Sequence, residues 1–230
     1  MKPLTLSIII PCLNESTHIV SSLKKLQKIR SKGHEIILCD GGSKDNTLAL
    51  ANNLADHILN TQPGRAKQMN MGAQIASGDV LCFLHADTII PANFEAIITH
   101  ELHQSDKIWG RFNIKLSNSF WPYRVISWFI NTRSCMSGVA TGDQGIFIYK
   151  ENFLKLKGYA DIPLMEDIEI SKRLRKTSRP ICINKSFLIT SSRRWEQFGI
   201  FKTVILMWHL RLRYFLGASP TELAKFYHNS

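Results

Sequence analysis

The sequence predicts an α/β fold in which helices cover both faces of a mostly parallel central sheet. Short, uniformly apolar runs such as 4–10 (LTLSIII) and 80–84 (VLCFL) are typical of strands that are buried on both faces. Segments with helical periodicity separate these runs, so that helical crossovers must join consecutive strands. The length of 230 residues and the hydrophobic content of 44% suit one such domain with a full core.

The first half of the chain alternates between strands and helices. The predicted strands cover residues 4–10, 35–39, 57–59 and 80–84. The predicted helices cover residues 18–30, 46–55 and 66–76, and the first has an apolar face made by Ile19, Leu23, Leu26 and Ile29. This β-α-β-α-β-α-β order predicts a Rossmann-like parallel sheet.

The second half is less regular. We expect strands near residues 108–116 and 145–149 and a helix over 166–176. For the aromatic stretch at 119–130 (SFWPYRVISWFI) we predict neither a helix nor a strand. Residues 1–230 are predicted to form a single domain, with mixed strands after residue 116 and a helical C-terminal extension at 196–230.

The composition excludes several classes of protein. Five cysteines without a CxxC pair argue against a disulfide scaffold or a cysteine-rich zinc site and favour a reducing, cytoplasmic setting. The N-terminal apolar stretch is too short for a signal peptide, and no segment reaches the roughly 20 apolar residues of a membrane span. The net charge of +11 suits nucleic acid, anionic lipid or a phosphorylated small molecule as partner.

Three polar loops follow predicted strands, at residues 11–15, 40–45 and 85–87. In open parallel sheets, ligands bind beyond the carboxyl ends of the strands, so these loops should meet at one site. Neither GxGxxG nor GxxxxGKS/T occurs in the chain. Because Glu15, Asp40 and Asp87 would repel a bare phosphate, a phosphorylated ligand there requires a bridging divalent cation.

Some of these acids also have a purely structural explanation. Asp40 precedes two glycines, which are a turn signal in themselves. Glu166 and Asp167 open a predicted helix that ends in basic residues, an order that complements the helix dipole. Asp87 lies between an apolar strand and the sequence TIIP, where a carboxylate has little capping to do, and is therefore the clearest functional candidate.

Four segments resemble the family 2 nucleotide-sugar glycosyltransferases of GT-A fold. They are SIIIPCLNE, EIILCDGGSKDNT, GRAKQMNMGAQIASGDVLCFLHADT and TGDQGIFIYKENFLKLKGYADIPLMEDIEISKRLR, in order over residues 4–176. The GRAxQMNxGA and LHADT motifs are similar to one subgroup of that family. The resemblance implies a three-layer αβα sandwich in which residues 1–116 bind the nucleotide sugar and residues 117–195 bind the acceptor.

The resemblance also implies roles for individual residues. Asp40 would read the base, commonly uracil, Asp87 would ligate Mn²⁺ or Mg²⁺ on the diphosphate, and Asp167 would be the catalytic base. The residues predicted to hold the nucleotide sugar are Pro11, Leu13, Asn14, Glu15, Asp40, Gly42, Arg65, Gln68, His85, Ala86 and Asp87. Those predicted to face the acceptor are Asp143, Gln144 and Glu166. Apart from the resemblance, Arg193 and Arg194 beside Trp195 either reach the diphosphate leaving group, as paired guanidiniums do, or belong to a solvated basic surface.

The sequence departs from the wider family at three positions. Gly41 stands where a second aspartate is usual, Met69 where an arginine is frequent, and His85 where the metal-binding motif begins. We expect the His85 imidazole to hydrogen-bond the ribose. The alternative is that it ligates the metal and favours Mn²⁺ over Mg²⁺.

These features predict an inverting, metal-dependent glycosyltransferase that moves a sugar from a nucleotide diphosphate sugar, with a UDP-sugar favoured, to a hydroxyl acceptor. Two other classes stay open on the residues alone. A sugar nucleotidyltransferase would normally carry a Gly-rich basic loop after the first strand, and a non-catalytic module would bind anionic lipid or nucleic acid through its charge. The acid-bearing loops argue against that module, and no nucleic acid is expected as partner.

The basic residues concentrate towards the C-terminus, where residues 185–216 carry six basic side chains and one acid. Residues 198–216 also hold bulky apolar side chains. This stretch is either a helix packed on the core or a peripheral contact with the anionic inner face of the cell membrane, which would suit a lipid-linked acceptor. A homodimer is also left open.

Overall fold

The computed structural model describes residues 3–228, and one seven-stranded sheet runs through them. Its strands are β1 (Leu6–Cys12), β2 (Glu35–Asp40), β3 (His57–Asn60), β4 (Val80–Phe83), β5 (Trp109–Leu116), β6 (Phe147–Tyr149) and β7 (Ile181–Thr190). Their order is β3-β2-β1-β4-β6-β5-β7. Only β6 runs antiparallel to its neighbours within this described sheet, which confirms the predicted mostly parallel arrangement.

Helices cover both faces of the sheet. They are α1 (Ile19–Arg30), α2 (Thr47–Ala51), α3 (Arg65–Ile75), α4 (Phe94–His103), α5 (Trp121–Ser137), α6 (Lys150–Lys155), α7 (Glu166–Thr177), α8 (Arg193–Phe198), α9 (Ile200–Phe215) and α10 (Pro220–His228). A 3₁₀ turn spans Gly142–Gln144. On β1, Ile8 and Ile10 pack with α1 and α4, while Ile9 between them packs with α3, so this strand is buried on both faces.

The helix α3 lies directly on β1 and β2. A Cβ atom on Gly72 would stand 2.6 Å from Cγ2 of Ile9 and 2.8 Å from Sγ of Cys39, so only glycine permits this approach. Cys12, Cys39 and Cys82 are buried in the core, as small hydrophobic residues are expected to be.

Several elements differ from the sequence prediction. The helices α4, α5 and α6 and the strand β7 were not expected. The helix expected over 46–55 ends at Ala51, because Asn53 adopts a left-handed φ of 67° that turns the chain towards β3.

The helix α5 explains why the aromatic stretch gave no periodic signal. Its buried face carries Ser127, Asn131 and Ser134, whereas Trp121 and Trp128 are exposed. The reason is that β6 pairs only with Trp109 and Gly110, the first two residues of β5. The backbone groups on the rest of that edge of β5 therefore need other hydrogen-bond partners. Asn131 bonds the N–H and C=O of Ile114 at 2.8 and 2.9 Å, and Ser127 accepts the N–H of Leu116 at 3.1 Å.

The C-terminal helices cover the start of α7. Leu210 of α9 packs with Met165 and Ile168, and Ile200 at the beginning of α9 packs on Tyr123 and Ile126 of α5. Across residues 3–228, none of the helices combines the length and the apolar character needed to cross a membrane.

Candidate active site

The loops after β1 and β2 are tied together by hydrogen bonds. Asn14, at φ 53°, donates its N–H to Ser43 Oγ and accepts the N–H of Lys44 on its side-chain oxygen, both at 2.8 Å. Glu15 donates its N–H to Thr47 Oγ1 at 2.8 Å. Pro11 is buried in β1, and Leu13 is exposed beside these bonds. The two loops therefore form one rigid unit at the predicted sheet edge.

The carboxylate of Asp40 lies inside this unit. It is buried, and its Oδ2 accepts the N–H groups of Gly42 and Ser43 at 2.9 and 2.8 Å. Its Oδ1 accepts the hydroxyl of Ser43. Gly42 supplies the positive φ of 91° that this turn requires. Asp40 thus closes the turn that follows β2, and its contact with a base stays a prediction.

Gln68 also makes its hydrogen bonds inside the protein. Its buried side chain donates to the carbonyls of Cys12 at 2.8 Å and Cys39 at 2.7 Å, which joins the ends of β1 and β2. A Cβ on Gly41 would stand 3.2 Å from this amide. A larger residue at position 41 would crowd Gln68, which accounts for glycine at this position.

The rest of the GRAKQMNMGA segment divides into a structural part and an exposed part. Asn70 pairs with both backbone groups of Tyr159, at 2.8 and 2.9 Å, and so fixes α3 to the second half of the chain. Arg65, the first residue of α3, is exposed. It interacts electrostatically with Glu15, His85 and Glu166, and therefore stands between the strand-end loops and the start of α7.

Two acids and two arginines meet where the three loops come together. Burial and the nearby carboxylate of Asp87 raise the pKa of Glu15, while Arg193 and Arg65 oppose the shift. The guanidinium of Arg193 lies 4.0 Å from Glu15 Oε1. Arg194 points elsewhere: its guanidinium stacks on the rings of Tyr227 and Phe198.

His85 lines a small cavity of about 10 Å³ beside these loops. The cavity is lined by Met69, Phe83, Leu84, His85, Gly142, Ile146, Tyr159, Glu166 and Asp167. Burial of the imidazole and the Arg65 cation lower the pKa of His85 to about 3, so the ring is neutral at physiological pH. A Cβ on Gly142 would stand 2.8 Å from Nε2, so the ring needs glycine opposite it. Ala86, the next residue, is buried.

The adjacent acids Glu166 and Asp167 occupy different environments at the start of α7. Asp167 Oδ2 accepts the N–H of Gly142 at 2.8 Å, and Oδ1 accepts the N–H of Ile168 at 2.7 Å. Glu166 is buried, and burial together with the Asp167 charge raises its pKa to about 7. Glu166 therefore retains its proton well above the usual range of a carboxyl group.

The 3₁₀ turn that holds Asp167 also carries the predicted residues Asp143 and Gln144. Gln144 is buried, and its side-chain oxygen accepts the N–H of Thr141 at 3.0 Å in a capping box. Burial and the Asp167 charge raise the pKa of Asp143. Asp143 therefore faces Asp167 in a poorly solvated environment.

Two arginines beside these acids were missed by the sequence prediction. Arg133 of α5 and Arg211 of α9 both interact electrostatically with Asp143 and Asp167. Burial lowers the pKa of Arg133 to about 10 and also lowers that of Arg211, and the two acids oppose both shifts. Because these residues come from helices far apart in sequence, no local pattern could have identified them.

The described side chains offer carboxylates for a divalent cation but no complete metal cage. Between residues 3 and 228, no group of three or more His, Cys, Asp or Glu side chains could jointly hold a metal ion. Asp87 and its neighbour Glu15 present hard oxygen ligands. Mg²⁺ on a diphosphate needs only one or two protein carboxylates, because phosphate oxygens and waters complete its coordination. The residues present therefore fit a cation bound together with a nucleoside diphosphate.

Comparison with known proteins gives consistent matches. Residues 7–155 match the model of the family described as Glycosyl transferase family 2. A PGL/p-HBAD biosynthesis glycosyltransferase of Mycobacterium tuberculosis is 32% identical over 126 residues, covering 50% of this chain and 49% of that protein. The mannosyltransferase PcManGT from Pyrobaculum calidifontis, in complex with GDP-Man and Mn²⁺, has a TM-score of 0.68 at 15% identity, covering 99% of this chain and 69% of that one.

A further solved structure agrees with these. Staphylococcus aureus TarS 1–349, in complex with UDP-GlcNAc, has a TM-score of 0.64 at 14% identity, over 82% of this chain and 58% of that one. The chain spans about half the length of the curated relatives it matches. The structural likeness confirms the predicted GT-A fold.

Proposed function

Because this chain belongs to glycosyl transferase family 2, we propose that it transfers a sugar from a nucleoside diphosphate sugar to a hydroxyl acceptor with inversion at the anomeric carbon. The observation that carries this proposal is the carboxylate of Asp167, which two backbone N–H groups orient beside the strand-end loops. Each oxygen accepts one peptide hydrogen bond and keeps a lone pair for an acceptor hydroxyl.

The donor binds at the loops that follow β1, β2 and β4. Arg65 and Arg193 flank this place and neutralise charge on the diphosphate as it leaves. Asp87, with Glu15 beside it, would hold Mn²⁺ or Mg²⁺, which when bound stabilises the negative charge of the leaving diphosphate. A UDP-sugar is the first donor to test.

The chemical step is a single displacement. The acceptor hydroxyl gives its proton to Asp167, its oxygen forms a bond to the anomeric carbon, and the bond to the nucleoside diphosphate breaks. The base is Asp167 rather than Glu166, because Glu166 is buried while Asp167 is only half-buried and can be reached by an acceptor hydroxyl. Attack from the face opposite the leaving group inverts the configuration.

Family membership favours this reaction over the two other classes that the residues left open. The loop after β1, PCLNE, is not the Gly-rich basic loop of a sugar nucleotidyltransferase. Within residues 1–230 we propose that the donor binds to the part before residue 117 and the acceptor to the part that follows. Arg193 is an exception to this division, because it belongs to the second part by sequence but its guanidinium lies near Glu15 of the first part.

The first test is a panel of nucleoside diphosphate sugars in a thermal-shift assay with and without Mn²⁺. The correct donor stabilises the native state by mass action and should raise Tm most when the metal is present. Proton NMR of the product's anomeric signal then reads the stereochemistry. A retained configuration would contradict the single displacement.

The surface of α5 and α9 supports a further proposal about where the enzyme works. Thirteen of the nineteen exposed large apolar side chains in the described part lie at residues 120–136 and 198–216. We define the aromatic surface as Trp121, Val125, Trp128 and Phe129 of α5 with Phe201, Ile205, Trp208, Leu212 and Phe215 of α9, all exposed. The α9 members recur every three or four residues and so form one stripe.

We propose that the aromatic surface rests on an anionic membrane and gives access to a lipid-linked acceptor. Tryptophan prefers the membrane interface, and the basic residues Arg124, Lys202 and Arg213 lie on the same two helices. The formal charge of +11 favours anionic headgroups.

Sedimentation with phosphatidylserine-containing vesicles at low salt tests this contact. Trp208→Ser and Trp128→Ser should each reduce the bound fraction, whereas Leu154→Ser, an exposed leucine on α6, should not. If sedimentation is equal for all variants and ultracentrifugation without lipid shows a dimer that Trp208→Ser dissociates, the surface joins two copies of the chain instead.

A further inference from the structure

Three charged side chains from three elements meet next to the proposed catalytic base, Asp167. Leu210 packs on Met165 and Ile168, so Arg211, the next residue of α9, stands at the start of α7. Gly142 donates its N–H to Asp167, which places its neighbour Asp143 at the same end. Arg133 completes the group from α5.

Two atoms of this group are buried without a hydrogen-bond partner in the protein. They are Nη2 of Arg133 and Oδ1 of Asp143, a donor and an acceptor. Over the described residues, no carboxylate oxygen lies within 4.0 Å of the guanidinium nitrogens of Arg133 or Arg211. Buried polar atoms without a protein partner are a small minority in folded proteins, and two in one cluster indicate a surface made for a polar ligand.

The charges of the group indicate which ligand it suits. Arg133 and Arg211 are both half-buried, and the Arg211 cation adds to the lowering of the pKa of Arg133. A partly buried guanidinium that has no carboxylate in contact gains most when an anion binds to it. Asp143 and Asp167 present acceptor oxygens, which suit the hydroxyl groups of the same ligand.

These arginines are distinct from those at the donor loops, residues 11–15, 40–45 and 85–87, where we propose that the donor binds. Arg65 and Arg193 interact with Glu15, whereas Arg133 and Arg211 interact with Asp143 and Asp167. The two pairs therefore serve different groups, and a donor diphosphate held by the first pair leaves the second pair free for another anion.

We propose that Arg133 and Arg211 bind a phosphate or carboxylate group of the acceptor, so that the acceptor is a hydroxylated anion rather than a neutral sugar. Its anionic group accepts hydrogen bonds from both guanidiniums, and its hydroxyl groups donate to Asp143 and Asp167. This inference rests on the proposed function, because it takes Asp167 as the base to which the acceptor hydroxyl gives its proton.

Calorimetric titration with three small probes tests the site without any donor. Glycerol 3-phosphate and glycerate carry a hydroxyl beside a phosphate or a carboxylate, and glycerol is the neutral counterpart. We expect one or both anions to bind and glycerol not to bind. Arg133→Gln and Arg211→Gln should each weaken anion binding by about 10-fold or more, because each removes a charge-assisted hydrogen bond.

The matched control is Lys202→Gln, which removes one exposed positive charge from α9 outside the group and should leave the affinity unchanged. If Arg133→Gln does not fold, as judged by circular dichroism, Arg133→Lys replaces it and should retain more affinity than Arg211→Gln. Glycerol binding as tightly as the anions, an absence of anion binding, or equal affinity in the arginine variants would each overturn the proposal.

A parallel titration with UDP and GDP in the presence of Mn²⁺ separates this inference from the proposed function. Arg133→Gln and Arg211→Gln should bind the nucleotide as the wild type does. If neither nucleotide binds the wild type while the anions bind through the arginines, the proposed transfer reaction fails and the anion site stands. If a nucleotide binds the wild type while the anions do not bind, the proposed transfer reaction stands and only the proposal of an anionic acceptor is rejected.

Discussion

The proposed donor loops and the proposed acceptor group, which consists of Arg133, Asp143, Asp167 and Arg211, differ in how their buried charges are satisfied. After β1 and β2, polar groups bond to backbone within a few residues or across one strand pair, as Asp40 does with Gly42 and Ser43. Around Asp167, the charged groups come from α5, α7, α9 and the 3₁₀ turn, and Arg133 and Asp143 keep atoms without a partner.

The difference indicates what each region does for the protein. Satisfied hydrogen bonds make the donor loops a stable scaffold, so substitutions there should lower the free energy of unfolding. The partly unsatisfied acceptor group contributes little to stability, so substitutions there should change turnover more than folding. The predictions below test this contrast.

The largest effect is expected from Asp167→Asn, which keeps the shape of the side chain but removes the proton acceptor. Turnover should fall by roughly 10²-fold to 10⁴-fold, while donor affinity changes little. Tm should fall modestly, because the amide nitrogen of Asn cannot accept the second of the two backbone N–H groups. Steady-state kinetics with the donor identified by thermal shift measure this. Glu166→Gln, at the neighbouring position, is the control. If Asp167→Asn turns over as fast as the wild type, Asp167 is not the base.

On the donor side, Asp87→Ala should abolish the Mn²⁺-dependent part of nucleoside diphosphate affinity. The variant removes the carboxylate that we propose as the metal ligand, so a loss of about 10-fold or more is expected. Calorimetry with UDP, with and without Mn²⁺, gives the comparison. Asp106→Ala removes an exposed carboxylate elsewhere and should have no effect; unchanged affinity in Asp87→Ala would remove the metal assignment.

Glu166 should make stability depend on pH. Its pKa is raised in the folded state to about 7, so the folded protein binds this proton more tightly than the unfolded chain does. The stabilisation is complete below the unfolded pKa and is lost as pH rises through the folded value. Between pH 5 and 8 the wild type should lose up to about 3 kcal/mol relative to Glu166→Gln in urea unfolding. Parallel pH profiles for the two proteins would contradict this.

The scaffold role of the donor loops is tested by Gln68→Met. This change leaves the carbonyls of Cys12 and Cys39 without their buried donor and should cost about 2 kcal/mol of unfolding free energy. Gln74→Met, an exposed position on the same helix, is the matched control. If both variants unfold at the same urea concentration, the hydrogen bonds of Gln68 do not stabilise the loops.

The sequence by itself was enough to predict the first strands of the sheet and the meeting of the loops that follow them. The strands β1, β2 and β4 were predicted from apolar runs because parallel strands are buried on both faces, and the loops after them carry Glu15 and Asp87 to one place. These signals are local, because a run of apolar residues predicts each strand and the end of the strand gives the position of the loop that follows it.

Only the tertiary structure decided the arrangement of the second half of the chain around Asp167. The helix α5 has an inverted pattern, with Asn131 buried and Trp128 exposed, because the short β6 leaves an edge of β5 that only polar side chains can satisfy. The same packing brings Arg133 and Arg211 to Asp167, and it separates Glu166, which is buried, from Asp167, which is held by backbone N–H groups. The positions of these arginines and the different environments of Glu166 and Asp167 depend on burial and on long-range contacts. Neither can be inferred from the residues next to them along the chain.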